Sequence, residues 1–182
     1  MTEIRLVRVG KPDQDVLDFL ALTLPEHLSA GCNLSEESID VSAVYDPARG
    51  QFYSTALLAE LVQLGTRYPS STLLGVTEVD LFIPILTFVF GEAQLGGQTA
   101  LLSSHRLRQE FYGLRPNEGL LLERVEKEAL HELGHTLGLV HCRALQCVMR
   151  FSNSVEEVDL KLNEYCPECR HQADELLRAK VG

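Results

Sequence analysis

The sequence predicts an α/β (α+β) fold in one compact domain. Segments with strand-like and helix-like patterns alternate along roughly the first half of the chain, which is the arrangement of an α/β layer. The chain has 182 residues, 45% of them hydrophobic, so one core can be buried without external cross-links. The sequence contains no repeat of fixed period and no low-complexity tract, and we therefore expect a single domain over 1–182.

The N-terminal elements are predicted from apolar periodicity and from turn residues. Strands are expected where β-branched and apolar residues are concentrated, at 4–9, 41–45 and 73–79. Helices are expected where leucines recur at helical spacing, at 13–24 and from a cap at Ser54 or Thr55 to near Gly65.

Two further strands are predicted over 87–90 and 98–103, joined through Gly91 and Gly96-Gly97. The second carries small and polar residues among its apolar ones, which favours an edge of the sheet over its centre. We therefore expect 98–103 to be an edge strand.

A long helix is predicted over 118–138. Asn117 can cap its start, apolar residues recur along it, and Gly138 can take the left-handed conformation that ends a helix. The chain beyond it is expected to be irregular until Pro167, a favourable first-turn residue for a last helix. We accordingly divide the domain into an N-terminal subdomain, 1–138, and a C-terminal subdomain, 139–182.

A group of histidines lies at the end of this helix, where residues 131–141 read HELGHTLGLVH. Two histidines four residues apart on a helix lie on one face, so His131 and His135 can bind one metal ion. A chain reversal at Gly138 would bring His141 round as the third ligand. Because zinc at a hydrolytic site takes three protein ligands and keeps a position open for water, these residues predict a catalytic zinc site.

Glu132 directly follows the first of these ligands and is placed to take a proton from water and pass it to a leaving amine. Single histidines on helices are usually core or surface residues, and Gly138 alone is an ordinary helix stop. The joint pattern on one predicted helix favours metal binding. We therefore expect metal-assisted amide hydrolysis with Glu132 as the general base.

Four of the five cysteines form two closely spaced pairs, which are Cys142 with Cys147 and Cys166 with Cys169. Such spacings suit a tetrahedral thiolate site, in which zinc is structural. The alternatives are two disulfides, disfavoured without a secretion signal, or buried thiols, disfavoured by the pairing itself. We expect a structural zinc that fixes the loop presenting His141. Cys32 is expected to be a core residue.

Charge and hydropathy narrow the range of partners. The formal net charge of −10 disfavours binding to nucleic-acid backbones. The first residues, MTEIRLVRVG, lack an apolar core of signal length behind a basic start. The longest apolar-rich stretch, 81–90, contains Pro84 and is too short to span a bilayer. We expect a cytoplasmic monomer with no nucleic-acid or membrane partner.

At these residues the chain resembles the metzincin clan of zinc peptidases and, within it, the archaemetzincin family. The metzincin motif HExxHxxGxxH matches 131–141, and the archaemetzincin continuation Cys-x4-Cys-x-Met with a later Cys-x-x-Cys matches 142–149 and 166–169. The sequence is also similar at Asp80-Leu81-Phe82, Phe88-Val89-Phe90-Gly91 and Gly96-Gly97, so the resemblance covers roughly residues 73–170.

The resemblance implies a metzincin fold with a mixed twisted sheet, an active-site helix and an edge strand over the cleft. It implies that Met149 lies in a turn beneath the zinc. It also implies that an extended peptide pairs with the edge strand, here 98–103, by strand addition.

The sequence therefore predicts a zinc-dependent metallopeptidase with two zinc ions per chain and a peptide or protein substrate. The alternative is a zinc-binding scaffold or interaction module that keeps the site without hydrolysing peptides. Glu132 favours the enzyme, because metal retention alone needs no base. Weaker candidates are Tyr112 and Tyr165 for stabilising the transition-state oxyanion, while His27, His105 and His171 have no ligand spacing.

Overall fold

The computed structural model describes residues 3–181. Its helices and strands in chain order are β1 Glu3–Val9, α1 Gln14–Leu28, β2 Gly31–Ile39, β3 Tyr45–Asp46, β4 Gln51–Tyr53, α2 Ser54–Gly65, β5 Ser71–Thr77, β6 Leu81–Phe82, β7 Gly91–Ala93, β8 Thr99–Ser103, α3 Glu118–Leu137, α4 Val155–Asp159 and α5 Pro167–Val181. Short 3-10 turns lie at Ser42–Val44, His105–Leu107 and Gln109–Tyr112.

The main sheet has five strands in the order β2-β1-β5-β8-β7. The first four of these are parallel to their neighbours, whereas β7 is antiparallel to β8 and forms one edge. A smaller mixed sheet contains the short strands β3, β4 and β6. The α/β class predicted from the sequence is confirmed.

Helices cover both faces of the main sheet. The core on one face joins α1 and α3 to the inward residues of β1, β5 and β8, and the core on the other face joins α2 to the alternate residues of these strands. Every residue of β5 is buried, as expected for a parallel strand covered on both faces. This layering places α3 directly beneath β7 and β8.

The predicted edge position of 98–103 is wrong. β8 lies inside the sheet, paired with β5 on one side and β7 on the other, and all five of its residues are buried. Its polar residues lie at the two ends of the strand, and the Ser103 hydroxyl donates to the Val79 carbonyl over 2.7 Å. The edge strand beside α3 is β7.

Three N-terminal segments also differ from what the sequence predicts. The sequence predicts no element at β2, because its residues are largely polar and only its pairing with β1 makes it a strand. The predicted strand at 41–45 is mainly a 3-10 turn. α1 continues beyond Leu24 through Pro25, since buried Leu28 keeps its last turn on the core despite the lost hydrogen bond.

The predicted cap of α2 is also wrong. Tyr53 occupies the cap position, and the Ser54 hydroxyl donates instead to the Phe82 carbonyl over 3.1 Å. The predicted strand at 87–90 contributes only an isolated bridge between Val89 and Leu81, and regular pairing begins at β7.

The segment after α3 was predicted to be irregular up to Pro167, but it contains the short helix α4. Val155 and Val158 of α4 are buried in the core shared with α3, so tertiary packing stabilises a helix too short to form alone. None of the helices in residues 3–181 has the length and apolar character that a transmembrane span requires.

Candidate metal centre and catalytic cleft

Helix α3 begins and ends at the residues that the sequence predicts. The Asn117 side chain accepts a hydrogen bond from the Leu120 amide over 3.1 Å at the start. Gly138 ends the helix with φ of 111°, and its amide donates to the last carbonyls of the helix. A side chain at this φ would strain the backbone, so glycine permits the reversal that returns the chain towards the helix.

The three histidines of the motif converge after this reversal. Their rings lie in contact, with centroid separations of 4.7 Å for His131–His135, 5.3 Å for His131–His141 and 4.9 Å for His135–His141. One ring nitrogen from each histidine lies within 4.8 Å of those of the other two. The structure thus places His141 beside the first two histidines after the reversal at Gly138.

Backbone carbonyls hold the first two rings in one tautomer. Nδ1 of His131 lies 2.8 Å from the Val148 carbonyl, and Nδ1 of His135 lies 2.8 Å from the Leu139 carbonyl. Since a carbonyl only accepts, each Nδ1 carries the proton and each Nε2 presents a lone pair. Burial lowers the pKa of His131 to about 4 and also lowers those of His135 and His141, which favours neutral imidazoles.

This donor set fits zinc. The Nε2 atoms of His131 and His135 are 3.2 Å apart. Two ligands at a Zn–N distance of about 2.0–2.1 Å in a tetrahedron lie about 3.3–3.4 Å apart. The three nitrogens leave a fourth tetrahedral position for water or substrate.

Glu132 lies beside these ligands and is 5% exposed. Burial, followed by the negative charge of Glu128, raises the pKa of Glu132 well above its ordinary value. A carboxylate in such surroundings is a stronger base than one in water.

The backbone of the edge strand lies against this carboxylate. A Cβ atom placed on Gly91 of β7 would lie 2.7 Å from both Cγ and Oε1 of Glu132. Only glycine leaves room for the two to approach this closely, so β7 and the candidate base form one continuous wall.

Met149 is fully buried beneath the same helix. A Cβ atom placed on Gly134 would lie 2.3 Å from the Met149 sulfur and 3.1 Å from a ring carbon of Tyr165. Gly134, between the two helical histidines, therefore lets Met149 pack directly under them. The turn that carries Met149 also supplies the Val148 carbonyl that orients His131.

The four paired cysteines also converge, and none of them forms a disulfide. Their sulfurs all lie within 4.8 Å of one another, with 3.8 Å between those of Cys142 and Cys166. A tetrahedron with Zn–S bonds of about 2.3 Å has edges of about 3.8 Å. Backbone amides of Ala144 and Cys166 donate to the sulfurs of Cys142 and Cys147, which suits thiolate charge.

A cleft of about 480 Å³ lies over the histidines. One wall is the segment 86–93 with β7, and the other contains Val140, His141 and the segment 151–153. Besides His131 and Glu132, the lining includes Glu128 and Lys161, which the sequence did not single out. Glu128 lies four residues before Glu132 on α3, a spacing that could have indicated a shared face; Lys161 gives no such signal.

The weaker candidates lie elsewhere. The Tyr112 hydroxyl donates to the Arg106 carbonyl and that of buried Tyr165 to the Leu130 carbonyl, and neither ring lines the cleft in the described residues. Cys32 is partly buried against the core. The remaining histidines contact acidic or carbonyl groups away from the metal ligands, at His27, His105 and His171.

The chain is similar in sequence to a known peptidase family. The model of peptidase family M54 matches residues 28–175. An archaemetzincin of Methanocaldococcus jannaschii is 47% identical over 161 residues, which are 88% of this chain and 87% of that protein. One of Pyrococcus furiosus is 41% identical over 179 residues, which are 96% and 93% of the two proteins.

Solved structures agree with these sequence matches. The crystal structure of an archaemetzincin from Archaeoglobus fulgidus, complexed with malonate, superposes with a TM-score of 0.81 at 39% identity, covering 94% of this chain and 99% of that one. A zinc-dependent peptidase from Methanocorpusculum labreanum superposes with a TM-score of 0.84 at 28% identity, covering 93% and 99%.

Proposed function

Because the chain belongs to peptidase family M54, a family of zinc metallopeptidases, we propose that it hydrolyses peptide bonds at a zinc ion held by His131, His135 and His141, with Glu132 as general base. The observation that carries the proposal is the 3.2 Å approach of two imidazole Nε2 atoms whose Nδ1 atoms are both committed to carbonyls. This arrangement leaves the lone pairs of both Nε2 atoms directed at one point.

Zinc bound there supplies a Lewis acid that activates water and polarises the scissile carbonyl. Glu132 accepts the proton of the attacking water on its carboxylate and returns it to the leaving amine. Its burial beneath β7 excludes bulk water from the proton transfer and keeps the carboxylate in one position.

The substrate in this proposal is an extended peptide that pairs with the free edge of β7. An edge strand offers unpaired backbone donors and acceptors on its outer side, which an extended peptide can satisfy. Gly91 and Ala93 face α3, and Glu92 faces the other side of the sheet, where the Thr55 hydroxyl donates to its carboxylate over 2.9 Å. This bond ties the substrate-binding strand to the start of α2.

We also propose a second, structural zinc on Cys142, Cys147, Cys166 and Cys169. The spacing of their sulfurs supports tetrahedral coordination with no open position. His141 and Cys142 are adjacent, so this metal would hold the irregular segment after Gly138 in the conformation that presents His141.

A cleavage assay with matched variants tests the catalytic proposal. Zinc-loaded protein is incubated with an unbiased peptide library, and products are identified by mass spectrometry. Glu132→Gln should retain the fold and both metals but lose activity by several powers of ten. Glu118→Gln is the control, because Glu118 is an exposed residue in the first turn of the same helix and lies outside the cleft.

Two results would contradict the proposal. Glu132→Gln could cleave the library at a rate close to that of the parent, which would exclude Glu132 as the base. Alternatively, the fully zinc-loaded parent could cleave no peptide at all, in which case the site would serve binding and not hydrolysis.

A further inference from the structure

Lys161 is a fully buried lysine in the wall of the cleft. Its ammonium group donates to Oε1 of Glu128 over 2.8 Å, and the Glu128 side chain is only 4% exposed. Glu128 precedes His131 by three residues and Glu132 by four, so all three share one face of α3. A buried ion pair therefore lies one helical turn from the candidate metal ligands.

Stability alone gives no reason for this pair. Removing two charges from water carries a large free-energy cost, and apolar residues of similar volume often stabilise a protein as much or more. Unlike an apolar contact, however, a hydrogen-bonded ion pair fixes the register between the two elements that it joins.

The elements joined here are α3 and the turn that carries Met149. Nζ of Lys161 lies 3.4 Å from the carbonyl oxygen of Arg150, the residue after Met149. The same turn presents the Val148 carbonyl to Nδ1 of His131. Lys161 thus contacts α3 through Glu128 and the turn through Arg150, the two elements that the bond between His131 and Val148 also joins.

We propose that Lys161 and Glu128 are positioning residues for the catalytic metal: their ion pair holds the turn 147–150 in register with α3, so that Val148 keeps His131 directed at the zinc. The inference rests on the proposed function of the histidine site. Lys161 and Glu128 would orient a metal ligand from outside the coordination sphere. Loss of such outer groups typically weakens metal affinity by roughly 10–100-fold.

Two variants separate positioning from simple stabilisation. Lys161→Met leaves Glu128 as an uncompensated buried carboxylate, so the thermal midpoint should fall by on the order of 10 °C and zinc affinity at the histidines should fall. Glu128→Leu/Lys161→Met replaces the pair by apolar side chains of similar size. Its midpoint should recover to that of the parent or above, while the affinity for histidine-bound zinc stays roughly 10–100-fold weaker.

The chain offers a matched control on the same helix. Lys127 is also a buried lysine, and its ammonium group lies 2.6 Å from Oε1 of Glu123, four residues earlier, but neither residue lines the cleft. Lys127→Met should therefore leave the affinity for histidine-bound zinc unchanged, even if its thermal midpoint falls.

The readout is the dissociation constant of each metal site, measured by competition with a chelator well below the thermal midpoint of every variant. Cobalt(II) substitution separates the sites, because thiolate-bound and imidazole-bound cobalt absorb differently. The double variant should lose affinity only at the histidines. If its histidine site binds metal within about twofold of the parent, well short of the expected loss of roughly 10–100-fold, the pair has no positioning role. If the parent itself binds no metal at the histidines, the proposed function fails instead.

Discussion

The substitution Gly134→Ala tests the contact between Met149 and the helix that carries the histidines. The new Cβ atom would lie 2.3 Å from the Met149 sulfur, about 1.1 Å inside the 3.4 Å at which ordinary contact begins. Met149 is fully buried, and the same Cβ atom would also lie 3.1 Å from a ring carbon of Tyr165, so the site has little room for the methyl group. The methyl group should therefore push the Met149 turn away from α3.

The magnitude follows from two opposing effects. Alanine is favoured over glycine inside a helix by about 1 kcal/mol, while overpacking a core costs typically about 1–3 kcal/mol. Gly119→Ala provides the control, because Gly119 lies in the first turn of α3, where the nearest atom to a new Cβ is 3.7 Å away. Since both variants gain helix propensity, the free energy of unfolding should be lower for Gly134→Ala by about 1–3 kcal/mol.

Thermal unfolding of the zinc-loaded proteins measures this difference. At about 2–4 °C per kcal/mol for a chain of this length, Gly134→Ala should melt roughly 2–12 °C below Gly119→Ala. Its affinity for zinc at the histidines should also fall, because the displaced turn carries the Val148 carbonyl that binds Nδ1 of His131. The reasoning is refuted if Gly134→Ala melts at or above the control and keeps the parent's zinc affinity.

Three further substitutions test the separate roles of β7, the histidines and the cysteines. Gly91→Ala should lower peptide hydrolysis by roughly 10–100-fold while both metals remain bound, because its methyl group would press on the Leu101 carbonyl and displace the Glu132 carboxylate by up to about 0.7 Å. Activity within a few fold of the parent would contradict the close packing of β7 on the base. His135→Ala should abolish activity with a modest loss of thermal stability, since α3 remains packed by its apolar face. Cys169→Ala should lower the thermal midpoint much more than His135→Ala does, and it should weaken zinc binding at the histidines through His141. Zinc content and thermal midpoint are measured for both variants in one buffer. The account is contradicted if Cys169→Ala keeps its histidine-bound zinc and melts like the parent while His135→Ala unfolds.

The features predicted correctly from the sequence are mostly local. The histidine spacing, the Asn117 cap and the Gly138 stop all act within a few residues, so the end of α3 and the convergence on His141 could be expected from residues 117–141 alone. Sequence spacing brings together the members of each cysteine pair, whereas the two pairs meet only because the C-terminal segment folds back, with Cys142 and Cys166 24 residues apart.

The features that were missed depend on contacts between distant residues. β2 is a strand because β1 lies beside it. β8 is internal because β7 folds back along it, whereas the polar residues of β8 indicated an edge strand. Glu128 and Lys161 are 33 residues apart, and only the packing of the C-terminal segment on α3 brings them together. The need for glycine at Gly134 arises in the same way, from a methionine in another segment.

Anomalous diffraction from crystals of the zinc-loaded protein, recorded on both sides of the zinc absorption edge, tests the central claim most directly. The account predicts two zinc peaks per chain: one within bonding distance of Nε2 of His131 and His135 and of a ring nitrogen of His141, and one enclosed by the sulfurs of Cys142, Cys147, Cys166 and Cys169. A structure with zinc on the cysteines alone after full loading, or with these cysteines joined in disulfides, would contradict it.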